Sequence, residues 1–163
     1  MAKPNSVMSL WTRLSGVPGG KWLFSRLICF KAPYFSSVRP TFVALRPGYC
    51  EVTIPKRRAV TNHLGTVHAI AMCNMAELAA GIMSEASVPG SHRWIPKGMT
   101  VEYLKKAGTD LRAIAAVAPL PEFGAAFELP VPVTVTDSSG VTVCSAVIRM
   151  WVSPRKDADA RPG

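Results

Sequence analysis

The hydrophobic and polar positions along the chain predict helices at the N-terminus, then strands, then one long helix and further strands. Residues 1–9 are predicted to be disordered, and helical periodicity follows in two pieces separated by a Gly- and Pro-containing stretch. The second piece, 21–30, ends before Pro33, as a helix is expected to do. A strand is predicted at 41–46, closed by Pro47-Gly48, and another at 49–54, where apolar and polar residues alternate as in a half-buried strand.

The long helix is the most informative part of the sequence. Helical periodicity covers residues 67–87 after a loop-like start at 62–65, and Pro89 ends the pattern. One stripe is typical of a buried core and contains Met72, Met75, Ala79, Ile82 and Ala86. The opposite stripe is semi-apolar with a single carboxylate, and it contains Ile70, Cys73, Asn74, Glu77, Gly81 and Ser84. A lone carboxylate is costly to bury without a partner, so Glu77 is a candidate functional residue.

The remaining chain reads as strand after strand, at 99–106, 110–117, 125–136 and 141–152. Pro130 and Pro132 lie within the third of these and indicate a bulge or a sheet edge. The order of elements predicts an α+β fold in which a curved antiparallel sheet wraps around the long helix, with an extra N-terminal helix. We divide the chain into a basic helical segment (1–33), the sheet-and-helix domain (34–153) and a flexible tail (154–163).

Composition narrows the class of protein. The 163 residues suffice for one domain, and 48% of them are hydrophobic, as in a well-buried core. No apolar run reaches the roughly 18 residues of a membrane span, and no secretory signal is recognisable. The four cysteines are scattered without metal-ligand spacing, which predicts reduced thiols, a cytoplasmic protein, and neither a metal nor another cofactor.

The charge is +9 and unevenly distributed, since seven Lys and Arg residues precede Glu51, the first acidic residue. This surplus favours anionic partners such as nucleic acid, acidic lipid or a phosphorylated ligand. The basic residues are spread singly, and neither a recognition helix nor an aromatic RNA-binding motif is present. We therefore do not expect nucleic acid to be the partner.

The start of the long helix suggests a chemical role. Its first backbone N–H groups have no helical partners, and the helix dipole is positive there, so this corner can hold a thioester oxygen as charge develops. Ala69 and Glu77 are separated by about 12 Å along one helix, too far to serve the same carbonyl. Two antiparallel helices related by a two-fold axis would bring them together, which predicts an obligate homodimer, alone or as a dimer of dimers.

The run Asn62-x-x-Gly65-x-x-His68-Ala69, followed by Met75-Ala76-Glu77, resembles the motif of hotdog-fold acyl-CoA thioesterases of the phenylacetyl-CoA thioesterase type. Their usual form is N-x-x-G-x-x-H-G-G and then L-x-D or L-x-E. The order of elements over residues 34–152 is also similar. Closest is a hotdog subfamily of unassigned function that shares the basic N-terminal helix and a Pro-Gly turn. The resemblance implies a hotdog fold and hydrolysis of an acyl-CoA thioester.

The resemblance also implies residue roles. Asn62 and the Ala69 amide would polarise the carbonyl, Glu77 would activate water or attack directly, and His68 would orient the loop before the helix. Two departures from the pattern are notable: Ile70 replaces a Gly and narrows the approach to the carbonyl, and Glu77 is longer than the commoner Asp. Candidates for a residue that holds the water are Ser84, Ser87 and Ser91.

Further residues are expected to bind substrate. Gly65, Ile70, Asn74 and Gly81 lie along the expected site, and His63 and Trp94 are candidate contacts at its two ends. The phosphates of the pantetheine ligand need positive charges at a surface rim, for which the candidates are Arg57, Arg58, Lys105 and Lys106.

Three other functions remain open at this stage. A non-catalytic hotdog protein would bind acyl-CoA or a fatty acyl group without turnover, and the crowding by Ile70 favours it. A hotdog dehydratase or hydratase would use a catalytic histidine, for which only His63 and His68 are near. A nucleic-acid binder is supported by charge alone. Acyl chain length and the choice between coenzyme A and a carrier protein are not given by the sequence.

Overall fold

The computed structural model describes residues 6–155, which form a six-stranded antiparallel sheet wrapped around one long helix. The helices are α1 (Ser6–Leu14), α2 (Gly20–Lys31) and α3 (Ala69–Ser87), with short 3-10 helices at Pro33–Val38 and Arg58–Val60. The strands are β1 (Thr41–Arg46), β2 (Tyr49–Ile54), β3 (His92–Tyr103), β4 (Leu111–Ala116), β5 (Phe127–Asp137) and β6 (Thr142–Pro154). This arrangement confirms the predicted α+β architecture.

The sheet has the strand order β1-β2-β4-β5-β6-β3, so β1 and β3 are its two edges. All neighbouring strands are antiparallel, and α3 contacts all six of them. The predicted core stripe is buried, with Met75 and Ala79 fully inaccessible and Ile82 half-buried. Its small alanines let the strands approach the helix closely. No helix among residues 6–155 is long and apolar enough to cross a membrane.

The N-terminal helices pack into the same core as the sheet. Trp11 of α1 and Phe42 of β1 both meet the Phe24 ring of α2 edge-on, with centroids 5.0 and 5.2 Å away. The predicted disorder of residues 1–9 is wrong from Ser6 onward, since α1 begins there and buries Val7. So short a helix is stable only through tertiary packing, which a local pattern does not reveal. Residues 1–5 lie outside the described chain.

The predicted strands are largely confirmed, with one substantial correction. β3 covers residues 92–103 rather than 99–106, because Pro96 and Gly98 interrupt the alternating pattern and a register shift in the pairing with β6 accommodates them. Pro130 and Pro132 lie where β5 pairs with β6 only, since the pairing with β4 ends at Val133. That stretch is a local sheet edge, as predicted. The tail predicted for 154–163 falls outside the described residues after Arg155.

The turn between β1 and β2 requires the glycine that the sequence supplies. Gly48 has φ +74°, and a Cβ atom there would lie 2.6 Å from the Val117 carbonyl oxygen. Its N–H donates to Ser87 Oγ at 2.8 Å, and Ser87 in turn donates to the Met83 carbonyl. Ser87 therefore joins the end of α3 to this turn.

Candidate active site

The first turn of α3 leaves one backbone donor unpaired. His68 is the N-cap, with extended backbone at ψ 141°, and its Nδ1 accepts the Ile70 N–H at 3.1 Å. The N–H groups of Ala71 and Met72 donate to the His68 carbonyl at 2.9 and 3.2 Å. Within residues 6–155 the Ala69 N–H has no hydrogen-bond partner. The cap position of His68 fits the orienting role that the resemblance implies.

The loop before α3 is held together by Asn62. Its Oδ1 accepts the N–H groups of Leu64 and Thr66 at 3.0 and 3.2 Å, and its Nδ2 donates to Thr66 Oγ1 at 3.0 Å. Gly65 closes the loop in the left-handed region, at φ +73°. An amide nitrogen carries two hydrogens, so Asn62 keeps one donor for a ligand.

Four of the predicted site residues share one cavity of about 300 Å³ at the start of α3. They are Asn62, Ala69, Lys105 and Lys106, and we call this space the N-terminal cavity. Leu64, Thr66, Val67, Met72, Tyr103, Leu104 and Ala107 complete its lining. Both lysines are exposed at its edge, as a phosphate-binding rim would require.

Tyr103 lines the N-terminal cavity at the end of β3, and no sequence pattern singles it out. Its Oη lies 3.1 Å from Cys73 Sγ, one helical turn after Ala69. The hydrogen bond with Cys73, and then burial, raise the pKa of Tyr103 to about 12. The phenol is therefore protonated near neutral pH and can donate a hydrogen bond.

Glu77 lines a second, larger cavity of about 370 Å³, which we call the apolar cavity. Its walls come from α3, from β3 and from the N-terminal helices, and they comprise Val7, Ile28, Lys31, Ala32, Phe35, Glu77, Leu78, Gly81, Ile82, Glu85, Trp94, Pro96 and Met150. The half-buried Glu77 carboxylate thus faces a mainly hydrocarbon space, and the predicted residues Gly81 and Trp94 line it too.

Gly81 lets the Trp94 indole lie directly on α3, because a Cβ atom at position 81 would be 3.3 Å from Trp94 Cη2. Trp94 Nε1 donates to Glu85 Oε2 at 2.8 Å, which fixes the ring at this end of the cavity. Glu85 was not identified from sequence. The signal was present, since residues 77, 81 and 85 repeat at the spacing of one helix face.

The third group of predicted residues lies between α3 and the 3-10 helix Pro33–Val38. His68, Ile70 and Asn74 line a cavity of about 200 Å³ there. Asn74 is buried and its Nδ2 donates to Ser37 Oγ at 3.2 Å, while Arg57 donates to the Ser37 carbonyl. Asn74 and Arg57 thus hold the 3-10 helix in place. Substrate contacts by Ile70, Asn74 and Arg57 remain predictions, as do those by the exposed Arg58 and His63.

A single chain does not bring the predicted catalytic residues together. Asn62 and Ala69 line the N-terminal cavity, whereas Glu77 lines the apolar cavity, and eight residues of helix between Ala69 and Glu77 correspond to about 12 Å. Within residues 6–155, no group of three or more His, Cys, Asp or Glu side chains is placed to hold a metal ion. Within one chain, the two halves of the predicted catalytic group therefore lie in different cavities.

Comparison with known proteins identifies a matching family model and several similar structures. The domain of unknown function DUF4442 matches residues 20–152. A genomics target protein is 50% identical, with a TM-score of 0.81, over 91% of this chain and 98% of its own. A Pseudomonas aeruginosa protein of unknown function, described as a probable thioesterase, is 21% identical with a TM-score of 0.71, over 85% and 97% of the two chains.

A thioesterase family protein from Silicibacter pomeroyi is 18% identical, with a TM-score of 0.68, over 80% of this chain and 96% of its own. No curated protein sequence matches this chain. The structural similarities confirm the predicted hotdog fold.

Proposed function

We propose that this chain, which belongs to the DUF4442 family and has the hotdog fold, hydrolyses acyl-CoA thioesters to a free acid and coenzyme A. The observation that carries the proposal is the unpaired Ala69 N–H at the start of helix α3, which opens on the same cavity as Asn62 with its spare amide hydrogen. The likeness to the thioesterase family protein from Silicibacter pomeroyi supports it.

The two donors provide the electrophilic half of the reaction. The Ala69 N–H and Asn62 Nδ2 donate to the thioester carbonyl, and the positive end of the α3 dipole adds to their effect as negative charge grows on the oxygen. Lys105 and Lys106, at the edge of the same cavity, attract the phosphates of the coenzyme A portion.

The second half of the reaction, activation of the nucleophile, comes from Glu77 of the other subunit. Its carboxylate takes a proton from water as the water oxygen attacks the carbonyl carbon. The C–S bond then breaks, and Glu77 gives that proton to the leaving thiolate, which regenerates the carboxylate. Direct attack by the carboxylate, followed by hydrolysis of the anhydride, is the alternative route. The apolar cavity beside Glu77 holds the acyl chain, since its lining is mainly hydrocarbon.

The test is free-thiol release from short, medium, long and aromatic acyl-CoAs. Glu77→Gln removes the base while it keeps the side-chain size, so turnover should fall roughly 10²- to 10⁴-fold. Glu122→Gln makes the same change at an exposed loop position and should leave turnover unchanged. Full activity in Glu77→Gln would overturn the assignment.

A mixing experiment tests the two-subunit site. Ala69→Pro removes the N–H donor and Glu77→Gln removes the base, so each homodimer should be inactive. After denaturation and refolding together, roughly a quarter of wild-type activity should return, because half of the dimers are mixed and each mixed dimer has one intact site. No recovery from well-folded mixed dimers would overturn the two-subunit site, because the helical rise keeps Ala69 and Glu77 of one chain about 12 Å apart.

One observation favours a second candidate, an acyl-CoA-binding protein without turnover. Ile70 is 57% exposed where the related motif has a glycine, and it adds bulk beside the carbonyl position. Equilibrium dialysis with labelled acyl-CoA distinguishes the two candidates, since tight binding without thiol release supports this one.

A further inference from the structure

Helix α2 is apolar on both of its sides. One side packs into the core through Phe24 and Ile28. The other side carries four large hydrophobic residues in solvent: Trp22 is 61% exposed, Leu23 42%, Leu27 40% and Phe30 86%. We call these four the α2 face. At 100° per residue they lie within an arc of about 140° that also contains the half-buried Arg26, and such a face normally contacts something.

The surroundings of the α2 face are basic. Lys21, Arg26 and Lys31 lie on the same helix, and Arg39 follows shortly after it. Lys21 and the half-buried Arg26 donate to the carbonyls of Val43 and Pro40, whereas Lys31 and Arg39 are exposed. No acidic residue occurs anywhere in the chain before Glu51. Trp, Leu and Phe bordered by Lys and Arg is the composition of a helix that lies in the interface of an anionic membrane.

The same charges disfavour a second copy of the chain as the occupant. A two-fold contact places the same patch on both sides, so the basic border would face its own equivalent. The α2 segment supplies no carboxylate to neutralise that repulsion. An anionic surface satisfies both the hydrophobic residues and the charge.

We propose that α2 docks this protein on an anionic lipid surface, with the α2 face inserted at the headgroup boundary and the exposed Lys31 and Arg39 at phosphate level. This inference goes beyond the proposed hydrolysis and does not depend on it. The inner side of the same region forms a wall of the apolar cavity, through Ile28, Ala32 and Phe35. Docking therefore brings that cavity next to the lipid surface, where long acyl chains concentrate.

Co-sedimentation with vesicles tests the proposal. The full chain should bind vesicles of phosphatidylcholine mixed with phosphatidylglycerol, bind pure phosphatidylcholine much less, and be released by salt. Trp22→Ser and Phe30→Ser should each weaken binding about tenfold or more, from the lost transfer of a large side chain. Val141→Ser, an exposed position that is 36% accessible in a turn, is the matched control and should bind like wild type.

A second variant separates docking from folding. Trp22→Phe keeps a large aromatic ring, so it should still bind the anionic vesicles, but the blue shift of tryptophan fluorescence on binding should shrink. Two results would overturn the proposal. One is a folded wild type that ignores anionic vesicles, and the other is Phe30→Ser changing the oligomeric mass while vesicle binding is unaltered. Hydrolysis of a soluble short-chain acyl-CoA by Phe30→Ser is measured separately, so failure of docking is distinct from failure of the proposed activity.

Discussion

Ala69→Pro tests the electrophilic half of the site with little disturbance of the fold. Ala69 is the first residue of α3, the helical position at which proline is best tolerated, because its N–H has no intrahelical partner. Proline also requires the preceding residue to be extended, and His68 already has φ −66° and ψ 141°. The substitution therefore removes the one unpaired N–H of this turn and costs no existing hydrogen bond.

The expected effects on activity and stability have opposite directions. Loss of one oxyanion donor costs about 2.7–4 kcal/mol of transition-state stabilisation, so kcat should fall roughly 10²- to 10³-fold. Proline at a compatible position restricts the unfolded chain and raises the free energy of unfolding by about 0.4–1 kcal/mol. We therefore expect the Ala69→Pro variant to be nearly inactive and at least as stable as wild type.

The assay is steady-state thiol release, with urea unfolding measured on the same preparations. Ala69→Gly is the control, because it retains the backbone N–H and should lose only a few-fold in kcat. Binding of a non-hydrolysable acyl-CoA thioether to Ala69→Pro should remain within a few-fold of wild type, which separates a lost donor from a blocked site. If Ala69→Pro kept wild-type kcat, the Ala69 N–H would not be the donor and this reasoning would be wrong.

Two further predictions concern the cavity walls. Gly81→Val should shift the acyl-CoA preference toward shorter chains, because the valine side chain would occupy cavity space next to Trp94. A Cβ atom at position 81 would already lie 3.3 Å from Trp94 Cη2. An unchanged chain-length profile would argue against the apolar cavity as the acyl site. Cys73→Ala should lower the pKa of Tyr103 from about 12 toward its usual value, because the hydrogen bond with Cys73 is the largest cause of the increase. Phenolate absorbance during a pH titration measures this, and an unaltered Tyr103 transition would contradict it.

The sequence predicts most of the fold where one periodicity dominates. β1 and β2 have the predicted bounds, and α3 begins two residues after the predicted start and ends as predicted. The sequence pattern does not predict elements that are stabilised by contacts with residues far along the chain. α1 is short and is held by core packing, and the 3-10 helix Pro33–Val38 is held by Asn74 and Arg57 from later elements.

The residues of the candidate site also divide into those that the sequence identifies and those that it does not. Glu77 stands out in sequence because its near neighbours on the helix face are apolar or small, and Ala69 is identified by its place at the helix start. Tyr103 was missed because its role depends on a tertiary neighbour, Cys73. The spacing of Glu85 from Glu77 is visible in the sequence, but its partner Trp94 is not. The sequence carries the spacing of such residues along an element but not the partner that each one meets.

The helix that carries both halves of the chemistry also prevents one chain from combining them. α3 is a regular helix of 19 residues, so the distance between Ala69 and Glu77 is fixed by the helical rise and cannot close through side-chain motion. Burial adds to this rigidity, because the helix contacts every strand of the sheet. In the proposed dimer, a two-fold axis between antiparallel helices would place each Ala69 opposite the Glu77 of the other chain, so that two equivalent sites arise together. If the proposed activity is correct, dilution that separates the subunits must abolish turnover even while each chain remains folded.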